Sequence, residues 1–175
     1  MAIEIKSLEQ LKSMRKAGLV VADTLKLIKE SAQVGMTTVE LDEMAATNLV
    51  KHGATSSFLG YHGFPAVICA SVNEEVVHGI PNKRKLISGD LLSIDFGAII
   101  DGWHGDAAIS IGLGEVEAAD QKLMDVCEES MWRGIAAGKN GAKLTDISEA
   151  IQRYIDSQGK YGILREYGGN GIGSA

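Results

Sequence analysis

The spacing of apolar residues divides the chain into helical outer segments and a β-rich middle. Helical spacing predicts helices over about residues 7–31, 37–53, 115–137 and 145–157. Ser7 and Gln10 form a capping-box pattern at the start of the first helix, and Gly53 is a predicted C-cap of the second. Between Ala54 and Gly112, short apolar runs alternate with glycine, and residues 66–72 have the composition of a strand. The pattern predicts helices on both sides of a β-rich middle segment.

A hairpin is the strongest single prediction. Asp101-Gly102 lies between the apolar runs LLSIDFGAII and HGDAAISIG, and Asp-Gly between such runs is a strong hairpin signal. If these two residues form the turn, Asp106 is opposite Gly97, and Asp95 lies on the same face as Asp106 as its diagonal neighbour. A turn one residue earlier would place the two carboxylates directly opposite each other. Both registers bring them together.

Two carboxylates on a half-buried face repel each other, and the pKa of one of them should rise. A divalent cation between Asp95 and Asp106 would remove the repulsion, because hard cations prefer oxygen ligands. Two other interpretations remain open at this point. Each aspartate is paired or hydrogen-bonded separately, or the two form a carboxylate dyad without metal.

Composition limits the classes of function. The chain has 175 residues with 45% hydrophobic content, which is enough for one domain with a real core, and its net charge of −6 disfavours nucleic-acid binding by bulk charge. The basic run 83–85 is either a solvated loop or a local RNA-docking patch. No apolar run approaches the roughly 20 residues that span a bilayer, and the N-terminus lacks the apolar core of a signal peptide. With two cysteines that need not pair, these features predict a cytoplasmic location.

Two further patterns bear on organisation and chemistry. The segment from Gly35 to Gly53 aligns without gaps on the segment from Gly141 to Gly159, which indicates either a duplicated unit or a coincidence of helix lengths. His78 stands inside the apolar run VVHGIP, where a histidine is more often a hydrogen-bonded core residue than a catalyst.

The segments GYHGFPAVICASVNEEVVHGIP, SIDFGAIIDGWHGDAAIS and YGGNGIG together resemble bacterial type I methionine aminopeptidases. The resemblance extends over essentially all 175 residues. It implies the pita-bread (creatinase/aminopeptidase-like) α+β fold, in which two duplicated halves carry helices on curved antiparallel sheets. It also implies a single metallo-aminopeptidase domain over 1–175, with the first half and its metal hairpin in 1–112 and an incomplete second half in 113–175.

The resemblance implies an enzyme that removes the initiator methionine from nascent proteins by hydrolysis. It also implies that this enzyme binds two divalent cations, which are Co, Mn, Fe, Zn or Ni. By motif, Asp95 and Asp106 correspond to metal ligands, and His78 corresponds to a catalytic residue that contacts the substrate. The implied methionine pocket consists of Phe58, Tyr61, Phe64 and Cys69. Aromatic and sulfur atoms suit a thioether side chain. The implied partners are nascent polypeptide N-termini, with the ribosome as a further candidate, and the full-length protein is expected to be a monomer without membrane or sequence-specific nucleic-acid binding.

Two departures from the family pattern carry consequences. Asn170 in YGGNGIG stands where the family has a metal-binding histidine, and a neutral amide is a weaker ligand for a transition metal. The family's two glutamate ligands and further pocket residues correspond to positions after Ala175, so we expect a C-terminally truncated chain. The alternative functions are a catalytically impaired pita-bread binding module, an inactive fragment, and a relative that cleaves Xaa-Pro bonds.

Overall fold

A computed structural model describes residues 4–164 and 171–174 of the chain. Its elements in chain order are α1 (Leu8–Ser31), α2 (Thr38–Lys51), β1 (Thr55–Ser56), a short 3-10 helix (Tyr61–Gly63), β2 (Ile68–Val72), β3 (Leu91–Ile100), β4 (Trp103–Gly112), α3 (Ala118–Ala137) and α4 (Leu144–Gln158). The chain forms two compact units, the first comprising Met1–Val116 with Gly171–Ala175 and the second Glu117–Asn170. No helix in the described part is long and apolar enough to cross a membrane.

Local capping sets the start of the first two helices. The Gln10 N–H donates to Ser7 Oγ at 3.2 Å and the Ser7 N–H donates to Gln10 Oε1 at 2.7 Å, which confirms the predicted capping box of α1. A second capping box joins Thr37 and Glu40 at the start of α2. The prediction for the end of α2 was wrong by one residue, because His52 is the C-cap and Gly53 follows it in the left-handed conformation.

The predicted hairpin is confirmed in its turn and its register. Asp101 and Gly102 have φ values of 52° and 76°, and positive φ at both central residues is what a two-residue type I′ turn requires. β3 and β4 pair antiparallel along their whole length, with Gly97 opposite Asp106 and Asp95 opposite Ala108. On its other edge, β3 pairs antiparallel with β2 and β1.

The sheet buries one face of β3 against helices. Its core-facing residues are Leu92, Ile94, Phe96 and Ala98, each fully buried. α1 packs on β3 and β4, and the contact is closest at Gly105, where an added Cβ would lie 2.6 Å from the backbone nitrogen of Gly18. The backbone of α1 therefore packs directly on β4. The opposite face of the hairpin points away from α1, so its side chains can form a functional site.

The second unit is a helix pair in which α3 packs on α4. Gly134 of α3 allows the close approach, since an added Cβ would lie 2.8 Å from Ile151 Cδ1. The two aligned helical segments are alike at their first glycine, because Gly35 and Gly141 have φ values of 95° and 84°. They differ at the second glycine, where φ is 63° at Gly53 and 143° at Gly159.

Candidate metal and peptide site

The site face is the face of the β3–β4 hairpin that points away from the core, and it carries both predicted carboxylates. Asp95 lies in the middle of β3 and is half-buried, while Asp106 lies on β4 as its diagonal neighbour and is exposed. Each carboxyl group is close enough to change the pKa of the other. Strand alternation produces this meeting, because side chains two residues apart share a face.

Placing two negative charges on the carboxyl groups of Asp95 and Asp106 is unfavourable. Burial, the charge of Asp106 and the hydrogen bond between the two side chains raise the pKa of Asp95 to about 7, against a weaker opposing effect of the Phe96 N–H. Burial also raises the pKa of Asp106, although its side chain is reachable from solvent, and the bond to Asp95 and the charge of His104 oppose that rise. Below about pH 7 the Asp95 carboxyl is therefore protonated.

This pair fits a divalent cation. A positive ion between the two carboxyls would replace the proton of Asp95 and offset the burial and the repulsion that raise its pKa, and carboxylate oxygens are the ligands that hard cations prefer. Among residues 4–164 and 171–174, no group of three or more His, Cys, Asp or Glu is placed to hold a metal ion. The predicted ligand position Asn170 lies outside the described residues. Asp95 and Asp106 thus fit as part of a ligand set.

The thiol of Cys69 lies beside the carboxylate pair. It lies on β2 directly opposite Asp95, so its side chain is on the site face, and it is buried. Burial and the nearby charges of Asp95 and Asp106 raise the pKa of Cys69 to about 11. The thiol therefore stays neutral, and it can line an apolar pocket.

Two of the predicted pocket aromatics form a wall beside this site. The rings of Phe58 and Phe64 meet edge to face with centroids 6.5 Å apart, and both side chains are half-buried. Phe58 reaches the site face at Gly97, where an added Cβ would lie 3.0 Å from Phe58 Cε1. Tyr61 is exposed and contacts His62. It does not join the Phe58–Phe64 contact.

The interpretation of His78 as a core residue is wrong. His78 is exposed and has a φ of 60°, because the segment around it forms an irregular loop whose apolar residues are themselves exposed. The loop is held against β2 at Gly79, whose N–H donates to Ser71 Oγ at 3.0 Å and whose carbonyl accepts from the Ala70 N–H at 2.8 Å. His78 is therefore presented beside the strand that carries Cys69.

The sequence reasoning missed His104. It precedes Asp106 by two residues and therefore lies on the site face, half-buried, with Nδ1 2.9 Å from Ser57 Oγ. Strand alternation alone could have identified His104, because residues two apart on a strand share a face and position 104 is two residues before Asp106.

Comparison with known proteins agrees with this geometry. Residues 12–175 match metallopeptidase family M24. The methionine aminopeptidase of Clostridium acetobutylicum is 45% identical over 172 residues, which cover 98% of this chain and 68% of that protein. The crystal structure of methionine aminopeptidase from Rickettsia prowazekii has a TM-score of 0.94 and 37% identity, covering 99% of this chain and 70% of that one.

More distant structures share the fold alone. The prolidase from Pyrococcus furiosus has a TM-score of 0.76 at 18% identity, covering 89% of this chain and 44% of that one. The predicted pita-bread fold is confirmed by these matches, and the identity to methionine aminopeptidases extends along nearly the whole chain. In sequence and in fold, this chain belongs to metallopeptidase family M24 and is similar within it to the bacterial methionine aminopeptidases.

Proposed function

We propose that this protein is a methionine aminopeptidase, a metal-dependent hydrolase that removes the N-terminal methionine from new polypeptide chains. The observation that carries the proposal is the pair of neighbouring carboxyl groups, Asp95 and Asp106, on the site face of a chain that belongs to family M24. Membership of a metallopeptidase family implies a divalent metal. We propose two cations as the complete complement.

The carboxyl pair would hold the metal, with Asp95 and Asp106 as oxygen ligands. When bound, divalent metal in a peptidase supplies a Lewis acid and an activated water. Binding requires the Asp95 carboxyl to lose its proton, so metal affinity should rise with pH through the region of the Asp95 pKa of about 7.

The rest of the site would receive the methionine side chain and hold the peptide. A neutral Cys69 thiol and the Phe58–Phe64 wall present sulfur and aromatic edges, which attract a thioether. Tyr61, exposed beside this wall, is proposed as its outer rim. His78 is proposed to hydrogen bond the substrate from the loop beside β2, since it is exposed there and carries ring nitrogens that can donate or accept.

The alternative of an impaired binding module is not favoured. A methionine aminopeptidase 45% identical over 98% of this chain supports the enzymatic function, and the likeness to prolidase is a likeness of fold. Docking on the ribosome, a cytoplasmic location, a monomeric full-length protein and the role of Asn170 remain predictions.

The test is methionine release from a Met-Ala-Ser peptide in the presence of Mn²⁺ or Co²⁺, compared with cleavage of an Ala-Pro peptide. We expect release of methionine from the first peptide and no cleavage of the second. Asp106→Ala should abolish saturable Mn²⁺ uptake in calorimetry, whereas Asp101→Asn, at the exposed turn of the same hairpin, should leave it unchanged. Cleavage of the Ala-Pro peptide alone, or unchanged Mn²⁺ affinity in Asp106→Ala, would contradict the proposal.

A further inference from the structure

The position opposite Asp106 on β3 has no side chain of its own. It is Gly97, and an added Cβ there would lie 2.7 Å from Ser57 Cβ and 3.0 Å from Phe58 Cε1. Separations this short mean that the segment after β1 lies directly on the glycine. The space over Gly97 is thus filled by Ser57 and by the ring of Phe58.

Ser57 is bonded to both strands of the hairpin. Its N–H donates to the Gly97 carbonyl on β3 at 3.1 Å, and its Oγ hydrogen bonds to His104 Nδ1 on β4 at 2.9 Å. The backbone of His104 is itself held, because its N–H donates to the Gly173 carbonyl at 2.8 Å. One serine therefore ties the segment that carries Phe58 to the strand that carries Asp106.

We propose that the hydrogen bond between Ser57 and His104 positions the aromatic wall of the methionine pocket, through Phe58, against the carboxylate pair. Both are positioning residues that act through Phe58. The identification of the wall as a methionine pocket rests on the proposed function. The positioning itself rests on the contacts at Gly97 and His104.

A competing role for His104 must be separated from this one. Its charge lowers the pKa of Asp106, so the ring could act on that carboxylate directly. Because Nδ1 is bonded to Ser57, a hydrogen bond from the ring to the carboxylate would have to come from Nε2. His104→Asn keeps a polar group near the Nδ1 position, and His104→Gln keeps one near the Nε2 position.

The phenylalanines provide a direct readout. The chain has three, Phe58, Phe64 and Phe96, and Phe96 is fully buried in the core, so it is an internal control. In ¹⁹F NMR of the full chain labelled with 4-fluorophenylalanine, Ser57→Ala and His104→Gln should shift or broaden the resonances of Phe58 and Phe64 and leave that of Phe96 unchanged. His104→Asn should give a spectrum close to that of the unsubstituted protein.

Three NMR results would overturn the proposal. The first is an unchanged Phe58 resonance in Ser57→Ala. The second is a His104→Asn spectrum as perturbed as that of His104→Gln. The third is movement of the Phe96 resonance together with the others, because the contact would then stabilise the sheet in general rather than position the pocket.

Kinetics and metal binding complete the test. Loss of one hydrogen bond should raise KM for the Met-Ala-Ser peptide about fivefold in Ser57→Ala and His104→Gln, with kcat within about twofold and Mn²⁺ affinity unchanged. If His104→Gln keeps its Mn²⁺ affinity and His104→Asn loses it, the His104 ring acts directly on the Asp106 carboxylate, and the proposal is overturned. If the unsubstituted protein releases no methionine, the proposed function fails, and the NMR comparison still decides the positioning.

Discussion

Asp95→Asn should stabilise the metal-free protein and at the same time destroy its metal binding. Asp95 has a pKa of about 7 in the folded protein and an ordinary value of 3.8. As the pH rises from about 4 to 7, the unfolded chain loses this proton while the folded chain keeps it, so the free energy of unfolding falls. Above pH 7 the penalty is fully present. An amide at position 95 carries no charge and therefore avoids it.

The size of the effect follows from the shift. A rise from 3.8 to about 7 corresponds to about 4 kcal/mol at pH 8 as an upper limit, at about 1.4 kcal/mol for each pKa unit. Asp106 is exposed, and solvent screening of its charge reduces the expected gain to about 2 kcal/mol. At pH 5 the gain should be less than about half of its value at pH 8, because the folded protein holds the proton there.

Urea unfolding in the presence of a chelator, at pH 5 and at pH 8, measures this difference. Asp101→Asn is the matched control, since it removes the same charge from the same hairpin at an exposed turn where positive φ suits asparagine. We expect its stability to stay within about 0.5 kcal/mol of the unsubstituted protein at both pH values.

Added Mn²⁺ should reverse the order of stability. The unsubstituted protein gains about 2.7 kcal/mol when the ion is at a hundred times its dissociation constant, whereas Asp95→Asn should gain nothing. A variant that is less stable than the unsubstituted protein at pH 8 without metal, or whose advantage does not grow with pH, would refute the reasoning about the buried pair.

Other substitutions and reactions test the packing and the site separately. Gly105→Ala should destabilise the protein by about 1–3 kcal/mol and lower its Tm, because the new Cβ meets the backbone of Gly18; an unchanged Tm would contradict this packing. Asn48→Ala should cost about 1–3 kcal/mol in urea unfolding, since its buried amide joins α2 to α1 through two hydrogen bonds, and a loss below about 0.5 kcal/mol would show that they contribute little. Iodoacetamide at pH 8 should alkylate exposed Cys127 well before Cys69, whose pKa is raised to about 11, and equal rates would argue against that raised pKa.

Local sequence features were enough to predict the hairpin that carries the two carboxylates of the site. The Asp-Gly turn sets the hairpin register, because its two residues accept positive φ, and strand alternation then places Asp95 and Asp106 on one face. The capping box at Ser7 is equally local. The roles given to His78 and to the pocket residues came from family resemblance, and periodicity carried no signal for them.

The sequence by itself determined the helices, the hairpin and the meeting of two carboxylates, because each depends on residues within a few positions of one another. Only the tertiary structure decided that Ser57 fills the space over Gly97 and binds His104, and that His78 lies on an exposed loop. It also decided the size of the rise in the pKa of Asp95, since burial is its largest cause. Burial and contacts between distant segments depend on how the whole chain packs, and no local pattern of residues encodes them.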